Sequence, residues 1–258
     1  MPKRLEDVFV AHPRFMGVIT PSGNTVVERV TLAILENFPE VTPLFSRTPV
    51  FGESDRFPAS YDMDGMLGAA RLLAHAKPDV LVWNGSKGAK IGVALDHAFA
   101  AQCQEETGIP CTTSIIAMDE VLREQGLRRL AVVTPYDAYY QQNLITALTA
   151  DGYEVIAECH SSLKGNISFA SVGSEQIAGM VREVASKGPD AIVVLCTNFP
   201  AAPVIPALEE EFDIPILDST SLGVWAALRL MGIDTSPARA WGRLFASQGH
   251  DATTRSYT

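Results

Sequence analysis

The chain has 258 residues, 47% of them hydrophobic and 19% charged, which is enough for one large or two smaller domains with proper cores. A formal net charge of −10 argues against a nucleic-acid or anionic-membrane surface and favours a small-molecule partner, although a local basic pocket for a small anion stays compatible with it. No stretch reaches the ~18 apolar residues of a membrane span, and the N-terminal MPKRLEDVFVAHPRF lacks the apolar core of a secretion signal, so the expected location is the cytoplasm.

In chain order, apolar strand-like runs alternate with longer segments of helical period. FMGVIT (Phe15–Thr20) precedes TVVERVTLAILENF, and DVLVW (Asp79–Trp83) precedes GVALDHAFAAQCQEE. RLAVVT (Arg129–Thr134) precedes YYQQNLITALTA, and AIVVL (Ala191–Leu195) precedes APVIPALEEEF. This is the rhythm of parallel sheets covered by helices, so the predicted class is α/β.

The two halves echo one another. KPDVLVWNGS (Lys77–Ser86) aligns with GPDAIVVLCT (Gly188–Thr197), and each is followed by a helix and then by GIPCTTS or DIPILDS. GVITPSGN (Gly17–Asn24) likewise aligns with AVVTPYDA (Ala131–Ala138). The repeat predicts two similar lobes, each a parallel sheet flanked by helices, related by a pseudo-twofold axis with the active site between them. Residues 1–117 with 218–258 form the Gly85 lobe and residues 118–217 the Cys196 lobe. The helix SLGVWAALRLMG (Ser221–Gly232) returns to the first lobe. Ligands of open α/β sheets sit beyond the carboxyl ends of the strands. Four loops therefore converge on one cleft: residues 21–25, 84–88, 135–139 and 196–199. Cys196, at the mouth of a buried strand, opposes Gly85.

The remaining chemistry-bearing residues give little. Cys103, Cys111, Cys159 and Cys196 include no CxxC pair, and His12, His75, His97, His160 and His250 form no HxH or HExxH group, so no metal is expected. Neither half carries a GxGxxG or GxxxxGK[ST] fingerprint, and GSKGAKIG (Gly85–Gly92) fits neither spacing, which leaves phosphate binding there as a weak alternative. Cys103 and Cys111 read as core, and Glu209–Glu211 as a solvated helix face.

Taken with ETGIPCTT, LRRLAVVTPY, VVLCTNFPAAPVIPALEEEFDIPILDS and the tail GVWAALRLMG, these loops resemble the aspartate/glutamate racemase superfamily. The nearer likeness is to its maleate isomerase and arylmalonate decarboxylase branches. The resemblance implies a cofactor-independent enzyme acting on a small carboxylate or dicarboxylate at the carbon beside the carboxylate. Two-base members carry a cysteine on each side of the cleft; here the second is matched by Cys196 while the first falls on Gly85. Glycine neither donates a proton nor adds to a double bond, so this arrangement is similar to that of the decarboxylases. PSGNT (Pro21–Thr25) instead resembles the maleate isomerase loop whose asparagine contacts a substrate carboxylate, a role that would fall to Asn24. Lys87 stands where relatives usually have a small hydroxyl residue, which implies a larger or more anionic substrate.

The chemistry expected of such a site is decarboxylation of a malonate-like dicarboxylate through an enediolate. The Ser86 hydroxyl and the N–H groups of Ser86 and Lys87 would supply donors from one side. The Tyr136 hydroxyl and the Thr197 N–H would supply them from the other, with Asn24 on a carboxylate and Cys196 as the proton donor. The alternatives are maleate cis–trans isomerisation or an Asp/Glu racemase-like reaction, and a non-catalytic carboxylate-binding protein. Each residue also has a plainer duty open to it: Asn24 capping a helix from Thr25, Tyr136 packing beside Tyr139 and Tyr140, Ser86 turning the chain, and Cys196 filling the core. Self-association into a homo-oligomer is compatible with all of this.

Overall fold

A computed structural model of the chain describes residues 13–50 and 56–246. His12, His250 and the terminal portions of the expected Gly85 lobe lie outside the described residues. In chain order the elements of the first half are β1 (Arg14–Pro21), α1 (Val27–Leu35), β2 (Val41–Thr48), α2 (Met63–Ala74), β3 (Val80–Trp83), α3 (Gly88–Ile91), α4 (Val93–Thr107), β4 (Cys111–Thr113) and α5 (Ser114–Glu124). The second half follows with β5 (Arg129–Thr134), α6 (Ala138–Ala150), β6 (Glu154–His160), α7 (Asn166–Phe169), α8 (Ser174–Ala185), β7 (Ala191–Val194), α9 (Ile205–Phe212) and β8 (Ile216–Asp218). The chain then continues through α10 (Ser219–Leu230) and α11 (Arg243–Ala246).

The predicted α/β class and its doubling are both present. One sheet has the order β2-β1-β3-β4 and the other β6-β5-β7-β8, all neighbours parallel, so the same order recurs in each half. The continuous apolar runs occupy the inner strands: Val18 pairs with Val82 in one sheet and Val132 with Val193 in the other, all fully buried. Covered on both faces, such strands have no reason to alternate in polarity. One buried cluster includes Val18, Val82, Val132, Val193 and Trp225, so apolar packing is continuous across the two sheets.

α10 follows the second sheet yet packs on α1, α5 and β3 of the first half. Its close approach requires Gly223, because a Cβ there would lie 2.6 Å from Asn84 Nδ2 and 2.8 Å from Ser114 Oγ. Asn84 Nδ2 donates to the Thr220 carbonyl at 3.1 Å, tying the β3 loop to the start of α10. Among the described residues, no helix is long and apolar enough to cross a membrane.

Three sequence expectations are corrected. The helix expected from Thr25 begins at Val27. Cys111 is only half-buried, whereas Cys103 is core as expected. Glu209 does not belong to a solvated face: it is buried, and its carboxylate accepts from the N–H groups of Ile216 at 3.0 Å and Arg243 at 2.7 Å. It fastens the segment after α10 to the end of α9, and burial raises its pKa against these bonds.

Candidate active site

The carboxyl ends of β1, β3, β5 and β7 open onto a cavity of about 460 Å³ walled by both halves of the repeat. Asn24, Ser86 and Lys87 line it from the first half; Tyr136, Cys196 and Thr197 line it from the second. Of the residues proposed from sequence, Gly85 alone is not in the lining. The Trp83 indole stands beside it, and a Cβ on Gly85 would overlap Cε2 and Cζ2 of that ring and come within 2.9 Å of Nε1.

Cys196 lies just beyond β7 and is 3% exposed. Its backbone N–H donates to Ser219 Oγ at 3.3 Å, and its carbonyl accepts from the Phe199 N–H at 2.9 Å, closing a turn that presents the side chain to the cavity. Burial pushes the thiol up to about 12, while the Tyr136 hydroxyl and the Asn198 N–H pull the other way and the Asp218 charge adds to the rise. The group is a thiol at neutral pH, with two donors ready for the thiolate when it forms.

Across the cavity, Ser86 Oγ and the Tyr136 hydroxyl are 3.2 Å apart, linking the two halves. The Tyr136 ring is fixed by Tyr140, with centroids 4.1 Å apart, and by an edge contact with Phe169 at 5.4 Å. Burial first, then the neighbouring Cys196, keeps the phenol protonated well above its ordinary pKa, so it remains a donor. Tyr139, by contrast, is 77% exposed at the rim.

Asn24 performs a local duty and a long-range one. Its Oδ1 accepts from the N–H groups of Val26 at 2.8 Å and Val27 at 2.9 Å, which caps α1, and its Nδ2 donates to Thr197 Oγ1 at 3.0 Å. One Nδ2 hydrogen is therefore committed and the second is the only one left for a ligand. A second bond in the same direction runs from the Thr25 N–H to Asn198 Oδ1 at 2.8 Å, and Asn198 Nδ2 donates back to the Gly23 carbonyl at 3.5 Å, so three bonds clasp the first and last loops together. Thr220 Oγ1 donates to the Thr197 carbonyl at 3.2 Å and fixes that loop from below. The Lys87 ammonium donates to the Phe57 carbonyl at 2.6 Å, which draws it to the cavity wall.

Sequence reading missed Asn198, Thr220, Trp83, Tyr61 and Asp96. Tyr61 lines the cavity and donates to Asp96 Oδ2 at 2.8 Å. Asp96 is fully buried, and desolvation pushes its carboxyl up to about 7 against the opposing pull of the nearby Thr113 and of the Tyr61 hydrogen bond. The signal for Asp96 was present in the sequence, since an aspartate three residues into an apolar helix needs a partner. Nothing in the sequence placed Tyr61 beside it.

The chain is similar to known proteins of two kinds, arylmalonate decarboxylases and maleate isomerases. A family model described as arylmalonate decarboxylase matches residues 59–245. The arylmalonate decarboxylase of Bordetella bronchiseptica is 30% identical over 157 residues, a stretch covering 60% of this chain and 65% of that protein's length. A maleate isomerase of Nocardia farcinica is 26% identical over 239 residues, covering 90% of this chain and 95% of that protein. A crystal structure of arylmalonate decarboxylase superposes with a TM-score of 0.76 at 23% identity, over 91% of this chain and 99% of the other, which bears on the fold.

Proposed function

The chain belongs to the arylmalonate decarboxylase family, and on that premise we propose that it is a cofactor-independent enzyme that removes CO2 from a malonate-like dicarboxylate. The observation that carries this reading is the asymmetry of the cavity. Cys196 lines it as a buried, protonated thiol, and no other cysteine does among the described residues.

In the proposed reaction the bond from Cα to the departing carboxylate breaks, CO2 leaves, and the electron pair remains on Cα and the retained carboxylate as an enediolate. The Ser86 and Tyr136 hydroxyls, held 3.2 Å apart, donate to the enediolate oxygens where negative charge grows. Each such preorganised donor typically lowers the barrier by ~2.7–4 kcal/mol. The Cys196 S–H then delivers its proton to Cα; as the enediolate charge collapses to a carboxylate, the single Tyr136 hydrogen turns from that oxygen to the new thiolate, which it stabilises with the Asn198 N–H until solvent reprotonates the sulfur. A thiol whose pKa is pushed up to about 12 keeps nearly all its protons at neutral pH, as a carbon acid requires. Asn24 offers its remaining Nδ2 hydrogen to a carboxylate, and Lys87 and Lys90 in the lining suit an anionic substrate.

A second reading, maleate cis–trans isomerisation, is favoured by Asn24 in the lining and by the near full-length likeness to the Nocardia farcinica enzyme. It lacks a nucleophile at residue 85. Incubation with a panel of malonates, maleate and amino acids, followed by CO2 release and proton NMR, tests both. CO2 from a malonate supports the first reading, and fumarate from maleate without CO2 overturns it. Binding without turnover of any member of the panel supports a carboxylate-binding protein instead.

A further inference from the structure

The side-chain space at Gly85 is filled. The Trp83 ring occupies it, so that a Cβ at residue 85 would overlap two indole carbons and crowd Nε1 at 2.9 Å. Trp83 ends β3, two residues before Gly85, and contributes to the cavity lining where Gly85 does not.

The ring is also held in place. It is 2% exposed and meets Tyr61 edge-on, with an interplanar angle of 86° and centroids 6.2 Å apart. Tyr61 is anchored by its 2.8 Å bond to Asp96 Oδ2, and the Asp96 carboxyl in turn lies against the Gly88 backbone, where a Cβ would overlap it. Two further buried rings or chains, Leu81 and Phe99, belong to the same cluster, so the indole cannot swing away without displacing core.

We propose that Trp83 is a specificity-determining residue: its indole takes the side-chain volume of residue 85 and keeps the face opposite Cys196 free of a second acid or nucleophile. Glycine at residue 85 is then a consequence of Trp83, and single-faced protonation is built into the wall of the cavity. Gaining a working thiol on that face requires changes at both 83 and 85, since a cysteine at 85 alone meets the ring. The stereochemical consequence rests on the decarboxylase reading above; the steric coupling between 83 and 85 does not.

The test compares wild type, Gly85→Cys, Trp83→Leu and the double variant. Overpacking in a folded core predicts that Gly85→Cys lowers the unfolding midpoint by about 2–12 °C in the wild-type background. In the Trp83→Leu background, the same change should lower it by less than half as much. With 2-methyl-2-phenylmalonate as the probe, Gly85→Cys alone is expected to give a product of one hand, and the double variant a product of both hands. Equal destabilisation by Gly85→Cys in the two backgrounds overturns the proposal, as does a product of both hands from Gly85→Cys alone. Should the Trp83→Leu proteins fail to fold, Trp83→Phe with Gly85→Ala gives the same stability comparison with a smaller cavity. If wild type releases no CO2 from any malonate, the decarboxylase reading fails, while the unfolding midpoints still decide whether Trp83 holds the space at 85.

Discussion

Replacing Tyr136 by phenylalanine isolates one hydroxyl. The ring contacts with Tyr140 and Phe169 do not involve the oxygen, so packing survives the change. The oxygen has two neighbours that notice its loss: Ser86 Oγ at 3.2 Å, and the Cys196 thiol, whose pKa the hydroxyl lowers. A net hydrogen bond contributes about 0.5–1.5 kcal/mol to folding, so Tyr136→Phe should cost stability on that scale. The effect on turnover should be larger, because the hydroxyl is positioned where charge develops: a loss of about 10²–10³ in kcat is expected for one such donor. Cys196 is already a thiol at neutral pH, so a further rise in its pKa leaves the supply of protonated acid unchanged. The assay is CO2 release from phenylmalonate, paired with urea unfolding and with the pH dependence of thiol alkylation. If Tyr136→Phe stays within about threefold of wild-type kcat while Ser86→Ala falls by the predicted factor, the hydroxyl is not an enediolate donor.

Other residues give separable outcomes. Asn24→Ala removes both the α1 cap and the bond to Thr197 and should cost about 1–2 kcal/mol in urea unfolding. Asn24→Asp keeps the cap acceptor, should recover most of that stability, and should raise KM for a dicarboxylate by placing a negative charge in the lining; equal KM values for wild type and Asn24→Asp would remove Asn24 from substrate binding. Asp96 makes stability depend on pH. An unfolded aspartate ionises near 4, whereas the buried one ionises at about 7, so the folded state alone holds that proton in between. The stabilisation is complete below about pH 4 and is lost as pH rises to 7. Asp96→Asn, which keeps an acceptor for Tyr61, should therefore gain on wild type as pH rises from 4 to 8 in urea titrations; a constant difference would show that Asp96 ionises normally.

What the sequence disclosed follows from which interactions are local. β1, β3, β5 and β7 read as strands because, buried on both faces, they are unbroken apolar runs. The outer strands β2 and β6 are mostly half-buried, and β2 carries Pro43, so neither shows such a run. The internal repeat placed the four loops, and with them Asn24, Ser86, Tyr136 and Cys196, around one cavity. Asn24 as a cap was legible because capping is a matter of two or three residues; its bond to Thr197 spans the repeat and was not. Glu209 looked solvated because its partners lie at Ile216 and Arg243, the latter beyond α10. Trp83 read as the apolar end of a strand, and only the packed structure shows its ring in the space of residue 85.

Whether Cys196 delivers the proton that completes decarboxylation is decided by turning over 2-methyl-2-phenylmalonate in D2O with wild type and Cys196→Ala. The expected outcome is CO2 release by wild type, one deuterium at Cα of a product of one hand, and a fall of about 10²–10⁴ in turnover for Cys196→Ala. Near-normal CO2 release by Cys196→Ala, with product of the same hand, would mean that Cys196 is not the proton donor and serves the core as packing.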